Sequence, residues 1–184
     1  AVIAHIVSWL KDYATQAHAK GFVIGISGGI DSAVVSILAA KTGLPTLLLE
    51  LPIRQQAEQV SRAQLHMQQL QARFDNVSAD SVDLSPTFNQ FASDNDVDEQ
   101  QYSNKALALA NARSRLRMLT LYYYGQLHGL LVTGTGNKIE DFGVGFFTKY
   151  GDGGVDISPI ADLTKTQVFE LAAARERAHT PGEP

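Results

Sequence analysis

The sequence predicts an α/β fold: a doubly wound, mostly parallel sheet with helices on both faces. Two observations lead to this prediction. Short segments rich in Val, Ile and Leu alternate along the chain with longer segments of helical periodicity. The first short segment is followed directly by a glycine-rich turn and a helix, which is where an open α/β sheet binds ligands. With 184 residues, the chain is expected to form a single Rossmann-like domain over residues 1–184.

The predicted elements follow one another in a regular order. The strands are short and rich in β-branched residues or leucine, and are predicted at 22–26, 46–51, 76–84 and 130–133. The helices carry apolar residues three or four positions apart, and are predicted at 3–13, 32–40, 55–70 and 105–128. Their apolar stripes include Leu65, Leu119 and Tyr123, which are therefore expected in the core. Residues 85–103, rich in Ser, Asp, Asn and Gln, are predicted to form an excursion or an irregular helix.

Composition excludes several classes of protein. A hydrophobic share of 45% and a charged share of 18% are typical of globular proteins and argue against disordered, collagenous and coiled-coil chains. No apolar run is long enough to span a membrane, and a net charge of -4 argues against nucleic-acid binding. The absence of cysteine excludes disulfides, thiolate metal sites and cysteine nucleophiles from this sequence. The first twenty residues lack a signal-peptide pattern, so a cytoplasmic location is expected.

A glycine-rich turn follows the first predicted strand and has the sequence Ser27-Gly28-Gly29-Ile30-Asp31-Ser32. Adjacent glycines let backbone N–H groups approach a phosphate, and the start of the next helix favours negative charge. The turn is not a Walker A loop, because no G-K-[ST] ending is present, and it is not GxGxxG. Asp31 would repel phosphate unless a divalent cation lay between them, so the turn predicts Mg²⁺ beside a nucleotide. The alternative is a purely structural turn in which Asp31 favours the helix start.

Two later segments make the prediction of a nucleotide-binding protein more specific. The segment GTGNKIE occupies 134–140, and GFFTKYGDGGVD occupies 145–156. With the SGGIDS turn, the Leu51-Pro52 pair and NARSRLRM at 111–118, they resemble the NAD synthetases, which are N-type ATP pyrophosphatases. The resemblance extends from the first helix to about Leu171. It implies an adenine nucleotide α-hydrolase-like fold.

The resemblance also implies a reaction. It predicts a ligase that amidates nicotinate adenine dinucleotide (deamido-NAD) to NAD with ammonia and ATP. The nicotinate carboxylate would attack the α-phosphate of ATP, and ammonia would then displace AMP from the adenylated acid. Because this sequence contains no cysteine, ammonia is expected to come from solution or from a partner rather than from glutamine by a thiol route.

Site residues are implied by matching positions. The ATP-binding residues would be Gly25, Ile26, Ser27, Gly28, Gly29, Ile30, Asp31, Ser32, Thr135 and Lys165. The magnesium ligands would be Asp31 and Glu140, although the residues alone leave Glu140 equally well placed at the head of a solvated helix turn. The dinucleotide-binding residues would be Arg115, Lys149 and Asp156. Asp152 is expected to take a proton from ammonium, whereas Arg117 is expected to lie in solvent.

The chain also departs from the family, and other functions compete. Family members continue for several tens of residues beyond the position matching 174, so the segment after about 174 is expected to be shortened or incomplete, and His179 is given no role. The family's members are homodimers, and Leu121, Tyr122 and Tyr124 are expected to offer apolar surface to a second copy. The competing functions are a non-catalytic ATP-binding module of the universal-stress-protein kind and other ATP pyrophosphatases that share the turn.

Overall fold

Parallel strands form the centre of the computed structural model, which describes residues 1–98, 100–143 and 145–177. The strands are β1 (Gly21–Gly25), β2 (Thr46–Glu50), β3 (Val77–Ser81) and β4 (Leu130–Val132). Their spatial order is β3-β2-β1-β4, and every neighbouring pair is parallel. The order reverses on the two sides of β1, so the predicted doubly wound sheet is confirmed. Sheets of this kind bind ligands at such a reversal, which here is at the carboxyl end of β1.

Helices cover both faces of the sheet. They are α1 (Val2–Gln16), α2 (Ile30–Ala40), α3 (Ala57–Arg73), α4 (Ser85–Asp94), α5 (Lys105–His128), α6 (Lys138–Phe142) and α7 (Lys165–Arg177). The predicted excursion at 85–103 thus contains a regular helix, α4, which has a proline in its first turn. Gly129 ends α5 in the left-handed conformation, as a helix C-terminal glycine does. Residues 178–184, including His179, lie outside the described residues.

Two apolar clusters hold the layers together. The larger lies on the face covered by α1, α2, α3 and α7, and includes the fully buried Leu10, Phe22 and Leu48. The smaller lies on the opposite face beneath α4 and α5, and includes Val23, Leu49 and Phe88. Successive strand residues point to opposite faces, which is why Leu48 and Leu49 belong to different clusters. The smaller cluster leaves space for a cavity between α5 and the sheet.

Three predicted core residues were assigned wrongly. Leu65, Leu119 and Tyr123 are 56%, 61% and 60% exposed. The long helix α5 is apolar on two faces, so periodicity alone could not decide which face meets the sheet. At Gly125 a Cβ would lie 3.0 Å from the Leu130 carbonyl oxygen, so a residue without a side chain allows this face to approach β4 closely.

The packing of α5 on β4 also corrects the prediction of which α5 residues offer apolar surface to a second copy. Leu121, Tyr122 and Tyr124 pack against the smaller cluster and are partly buried. Leu119, Tyr123 and Leu127, spaced four residues apart in the second half of α5, are instead exposed, as is Leu107 near its start. No helix in the described part of the chain is both long and apolar enough to cross a membrane.

Candidate active site

The turn between β1 and α2 is ordered by its own serines. The Gly29 amide donates to Ser27 Oγ at 3.2 Å, and Ser32 Oγ donates to the Gly29 carbonyl at 3.0 Å. The two hydroxyl oxygens lie 3.3 Å apart. Gly29 is the N-cap of α2 and no side chain caps the helix there, so the first N–H groups of α2 are available to an anion.

Gly28 is required in this turn for two reasons. Its φ is +80°, which strains any residue with a side chain. A Cβ at this position would also lie 2.7 Å from the Gln59 carbonyl oxygen of α3. The turn therefore rests directly on the backbone of α3.

A charged cluster, defined as Asp31, Glu140 and Lys165, lies beside this turn. Lys165 Nζ donates to Asp31 Oδ2 and lies 3.5 Å from Glu140 Oε1. Burial lowers the pKa of Lys165, but the hydrogen bond and the charge of Asp31, followed by Glu140, outweigh burial and leave the pKa raised. The structure thus brings together three predicted site residues from α2, α6 and α7.

Asn137 orders the cluster and was not predicted as a site residue. It is fully buried, donates from Nδ2 to Asp31 Oδ1 at 3.3 Å, and caps α6 by accepting from the Ile139 and Glu140 amides. A signal was present, since Asn three residues before Glu is a helix-start pattern. Through these bonds Asn137 fixes Glu140 relative to Asp31.

The two carboxylates fit a shared cation. A single cationic nitrogen, Lys165 Nζ, already reaches both of them, and carboxylate oxygens are ligands that Mg²⁺ prefers. No group of three or more His, Cys, Asp or Glu side chains that could hold a metal ion is present in the described ranges. Additional ligands for Mg²⁺ would therefore have to come from phosphate oxygens or water.

A cavity of about 420 Å³ opens next to the turn, between α5 and the carboxyl ends of β1, β2 and β4. Its lining includes Ile26, Ser27, Thr135, Met118 and Asp152. The cavity is at the crevice where the strand order reverses, which is where ligands bind in open α/β sheets.

Arg117 lies on the wall of this cavity, and the prediction that it is solvated was wrong. Its Nε donates to the Leu51 carbonyl at 2.9 Å. Burial and the nearby charge of Arg113 lower the pKa of Arg117. Arg115, on the outer side of α5, is exposed and donates from Nε to the Lys149 carbonyl at 3.1 Å.

Residues 148–154 form a series of turns over the cavity, called the capping turn here. Tyr150 has a φ of +61°, and Lys149 Nζ lies 5.1 Å from the centre of the Tyr150 ring. The Asp152 side chain accepts from the Thr148 amide at 2.8 Å and from Ser114 Oγ at 3.0 Å.

Asp156 lies at the edge of the sheet, just after the capping turn. Its Oδ2 accepts from the Val132 amide at 2.8 Å, and its Oδ1 accepts from Tyr122 Oη at 2.9 Å. Burial, followed by the hydrogen bond and charge of Asp156, raises the pKa of Tyr122 to about 12. The periodicity of α5 gave no signal for this pairing.

Comparisons with known proteins agree on one family. A family model described as NAD synthase matches residues 2–181. An NH(3)-dependent NAD(+) synthetase from Carboxydothermus hydrogenoformans is 39% identical over 169 residues, which cover 91% of this chain and 66% of the relative. That from Finegoldia magna is 37% identical over 168 residues, covering 91% and 65%. The chain thus spans slightly less than two thirds of the length of these relatives.

Solved structures give the same result. An NMN synthetase from Francisella tularensis is similar with a TM-score of 0.84 and 39% identity, over 95% of this chain and 69% of that one. An NH3-dependent NAD synthetase from Campylobacter jejuni has a TM-score of 0.83 and 26% identity, over 95% and 72%.

Proposed function

Because this chain belongs to the NAD synthase family, we propose that it is a ligase that amidates nicotinate adenine dinucleotide to NAD. ATP would adenylate the nicotinate carboxylate with release of pyrophosphate, and ammonia would then displace AMP. The family match supports this reaction over a universal-stress-protein module and over other ATP pyrophosphatases with the same turn.

One observation carries the proposal. Asp31 and Glu140, distant in sequence, meet at Lys165 beside a turn whose helix N-terminus is open to an anion. A turn that merely connected β1 to α2 would not need three charged residues gathered at its edge. The same arrangement suits the triphosphate of ATP, because donors and a cation-binding pair of carboxylates lie together.

The binding residues have distinct tasks in this proposal. Backbone N–H groups at the start of α2 would hold phosphate oxygens, with Ser27, Ser32 and Thr135 adding hydroxyl donors. Lys165 would donate to the departing pyrophosphate. Its cation would stabilise the negative charge that grows on pyrophosphate as the bond between the α and β phosphates breaks. Mg²⁺, when bound by Asp31 and Glu140, would supply further positive charge to the phosphates.

The acid substrate would bind on the side of the capping turn. Lys149 and Arg115 would contact its anionic groups, since both are exposed and cationic and are joined through the Lys149 carbonyl. Asp156 would accept from substrate hydroxyls with the lone pairs that Tyr122 and Val132 leave free. Asp152 would take a proton from ammonium through Oδ2, because Oδ1 already accepts two hydrogen bonds within the protein.

The similarity to an NMN synthetase favours a second candidate substrate, nicotinate mononucleotide, for the same amidation. The purified protein, ATP, Mg²⁺ and ammonium would be incubated with either the dinucleotide or the mononucleotide, and products resolved by mass. We expect NAD, AMP and pyrophosphate from the dinucleotide at the higher kcat/KM. Preference for the mononucleotide would replace the first candidate by the second, and ATP binding without either amide would contradict both.

A homodimer, a cytoplasmic location and the absence of nucleic-acid partners complete the proposal. The exposed row of Leu119, Tyr123 and Leu127 is the surface we assign to a second copy. Sedimentation at micromolar concentration tests the dimer, and a monomer that persists there would contradict it.

A further inference from the structure

The capping turn is attached to α5 mainly by side chains. Thr148 Oγ1 donates to Asn111 Oδ1 at 2.7 Å, and Arg115 donates to the Lys149 carbonyl. Both contacts reach the first residues of the turn. The part that contains Asp152 is attached to α5 by a different residue, Ser114.

Ser114 makes two hydrogen bonds to the same partner. Its Oγ donates to Asp152 Oδ1 at 3.0 Å and accepts from the Asp152 amide at 2.9 Å. Asp152 Oδ1 in turn accepts from the Thr148 amide at 2.8 Å. The hydroxyl therefore bonds directly to Asp152, and the Asp152 carboxylate continues the connection to Thr148 at the start of the turn.

The packing around Ser114 is equally close. A Cβ at Gly151 would lie 2.3 Å from Ser114 Oγ, so the glycine lets the turn approach the hydroxyl. Ser114 also lines the cavity, whereas Arg115, the next residue, does not. Both the limited space beside Gly151 and the hydrogen bonds with Asp152 therefore favour serine, a small hydroxyl side chain, at position 114.

We propose that Ser114 is a positioning residue, which fixes Asp152 and thereby the capping turn that presents Lys149 to the acid substrate. This inference rests on the proposed function for its kinetic consequence, but its structural part is independent of it. Ser114 is on a rigid helix and the turn is on the surface, so losing the hydroxyl would loosen the turn and not the core.

The kinetic test compares Ser114→Ala with Thr120→Ala. Thr120 also carries an α5 hydroxyl, but its Oγ1 donates only to the Leu116 carbonyl of its own helix. We expect Ser114→Ala to raise KM for the acid substrate about 10-fold, with KM for ATP unchanged, because misplacing a binding group costs affinity. Thr120→Ala should change neither. Equal losses for both substrates in Ser114→Ala would overturn the proposal.

A second test does not depend on activity. Amide hydrogen exchange at Gly153, whose N–H donates to the Thr148 carbonyl at 3.2 Å, and trypsin cleavage after the exposed Lys149 both report order in the turn. Both should be about 10-fold faster in Ser114→Ala and unchanged in Thr120→Ala. Unchanged exchange and cleavage in Ser114→Ala would overturn the proposal. A wild-type protein that makes no amide would contradict the proposed function and leave this test in force.

Asp152→Asn separates positioning from proton transfer. The amide oxygen of Asn can accept the bonds from Ser114 and Thr148, whereas the Ala variant cannot. We expect exchange and cleavage to stay slow in Asp152→Asn and to become fast in Asp152→Ala. A turn equally loose in both variants would show that the accepting oxygen does not order it.

Discussion

The capping turn lines the cavity through Gly151, Asp152 and Gly154, whereas the charged cluster lies beside the glycine-rich turn, and the two are held in different ways. Asp31 follows β1 at the start of α2, Glu140 is on a helix capped by the buried Asn137, and Lys165 starts α7. These positions are set by strand ends and helix starts. The capping turn has no regular structure and is held by hydrogen bonds with Asn111, which accepts, and with Ser114 and Arg115, which donate.

This difference predicts which property a substitution changes in each region. Groups placed by backbone topology keep their position when one side chain changes, so a substitution there removes chemistry. Each exposed side-chain hydrogen bond contributes only about 1 kcal/mol net. A group that is held by only a few such bonds therefore loses its position when a single substitution removes one of them. We therefore expect defects in turnover from the charged cluster and defects in acid-substrate affinity from Lys149 and Arg115 at the capping turn.

The largest effect is expected for Asp31→Asn and Glu140→Gln. Each removes one carboxylate charge while nearly keeping shape, and each should lower turnover about 100-fold with a smaller change in ATP affinity. The double variant should lose less than the sum of the two in free energy, since both act on one ion. Pyrophosphate release and ATP binding measure this, with the exposed Asp12→Asn as control. Tighter ATP binding with intact turnover in Asp31→Asn would refute the shared cation.

The next largest effect is expected for Gly28→Ala, in the glycine-rich turn that contacts α3. Gly28 and Gly43 both have positive φ, +80° and +76°, but a Cβ at Gly43 meets nothing within 4 Å. Gly43→Ala should cost only the conformational strain, about 1–2 kcal/mol of unfolding free energy. Gly28→Ala should cost more and also weaken ATP binding, because the Gln59 carbonyl must move. Urea denaturation and ATP titration compare them, and equal losses in both measurements would show that the contact with α3 is unimportant.

A smaller effect is expected for Lys149→Ala and Arg115→Ala. Each should raise KM for the acid substrate about 10-fold and leave ATP binding unchanged, since both groups are on the side of the capping turn. Arg115→Lys should recover little, because the Nε bond to the Lys149 carbonyl needs a guanidinium. If ATP binding weakened as much as acid binding, the charged cluster and the capping turn would not be separate sites.

The smallest effect is a titration at high pH. The pKa of Tyr122 is raised to about 12 in the folded protein, against 10.0 for an unperturbed tyrosine. The stability that this contributes is complete below pH 10 and is lost as the pH rises toward 12. Wild type should therefore lose stability over this range relative to Tyr122→Phe, and Asp156→Asn should lower the Tyr122 pKa. Phenolate absorbance measures the pKa, and an unshifted value in wild type would contradict the Tyr122–Asp156 contact.

Much of the fold followed from local pattern. The strand at 22–26, its glycine turn and the helix at 105–128 were predicted at or within one residue of their bounds, because the buried strand is a continuous β-branched run and Gly129 marks the end of the long helix. The helix at 85–94 was not predicted as regular, since its polar surface residues resemble those of a loop. On α5, Leu119 and Tyr123 were placed in the core wrongly, although Leu109, Ala112 and Leu116 of the same stripe do pack against the smaller cluster.

By itself, the sequence determined which chemical groups are available: a glycine-rich turn before a helix, two carboxylates, a lysine and no cysteine. Those properties depend on residue type and short spacing, which are local. Only the tertiary structure decided which residues meet: Lys165 between Asp31 and Glu140, Asn137 beneath them, Arg117 on the cavity wall and Ser114 against Asp152. These contacts join parts of the chain 25 to 134 residues apart, and such distances are closed by strand pairing and helix packing, which no short motif encodes.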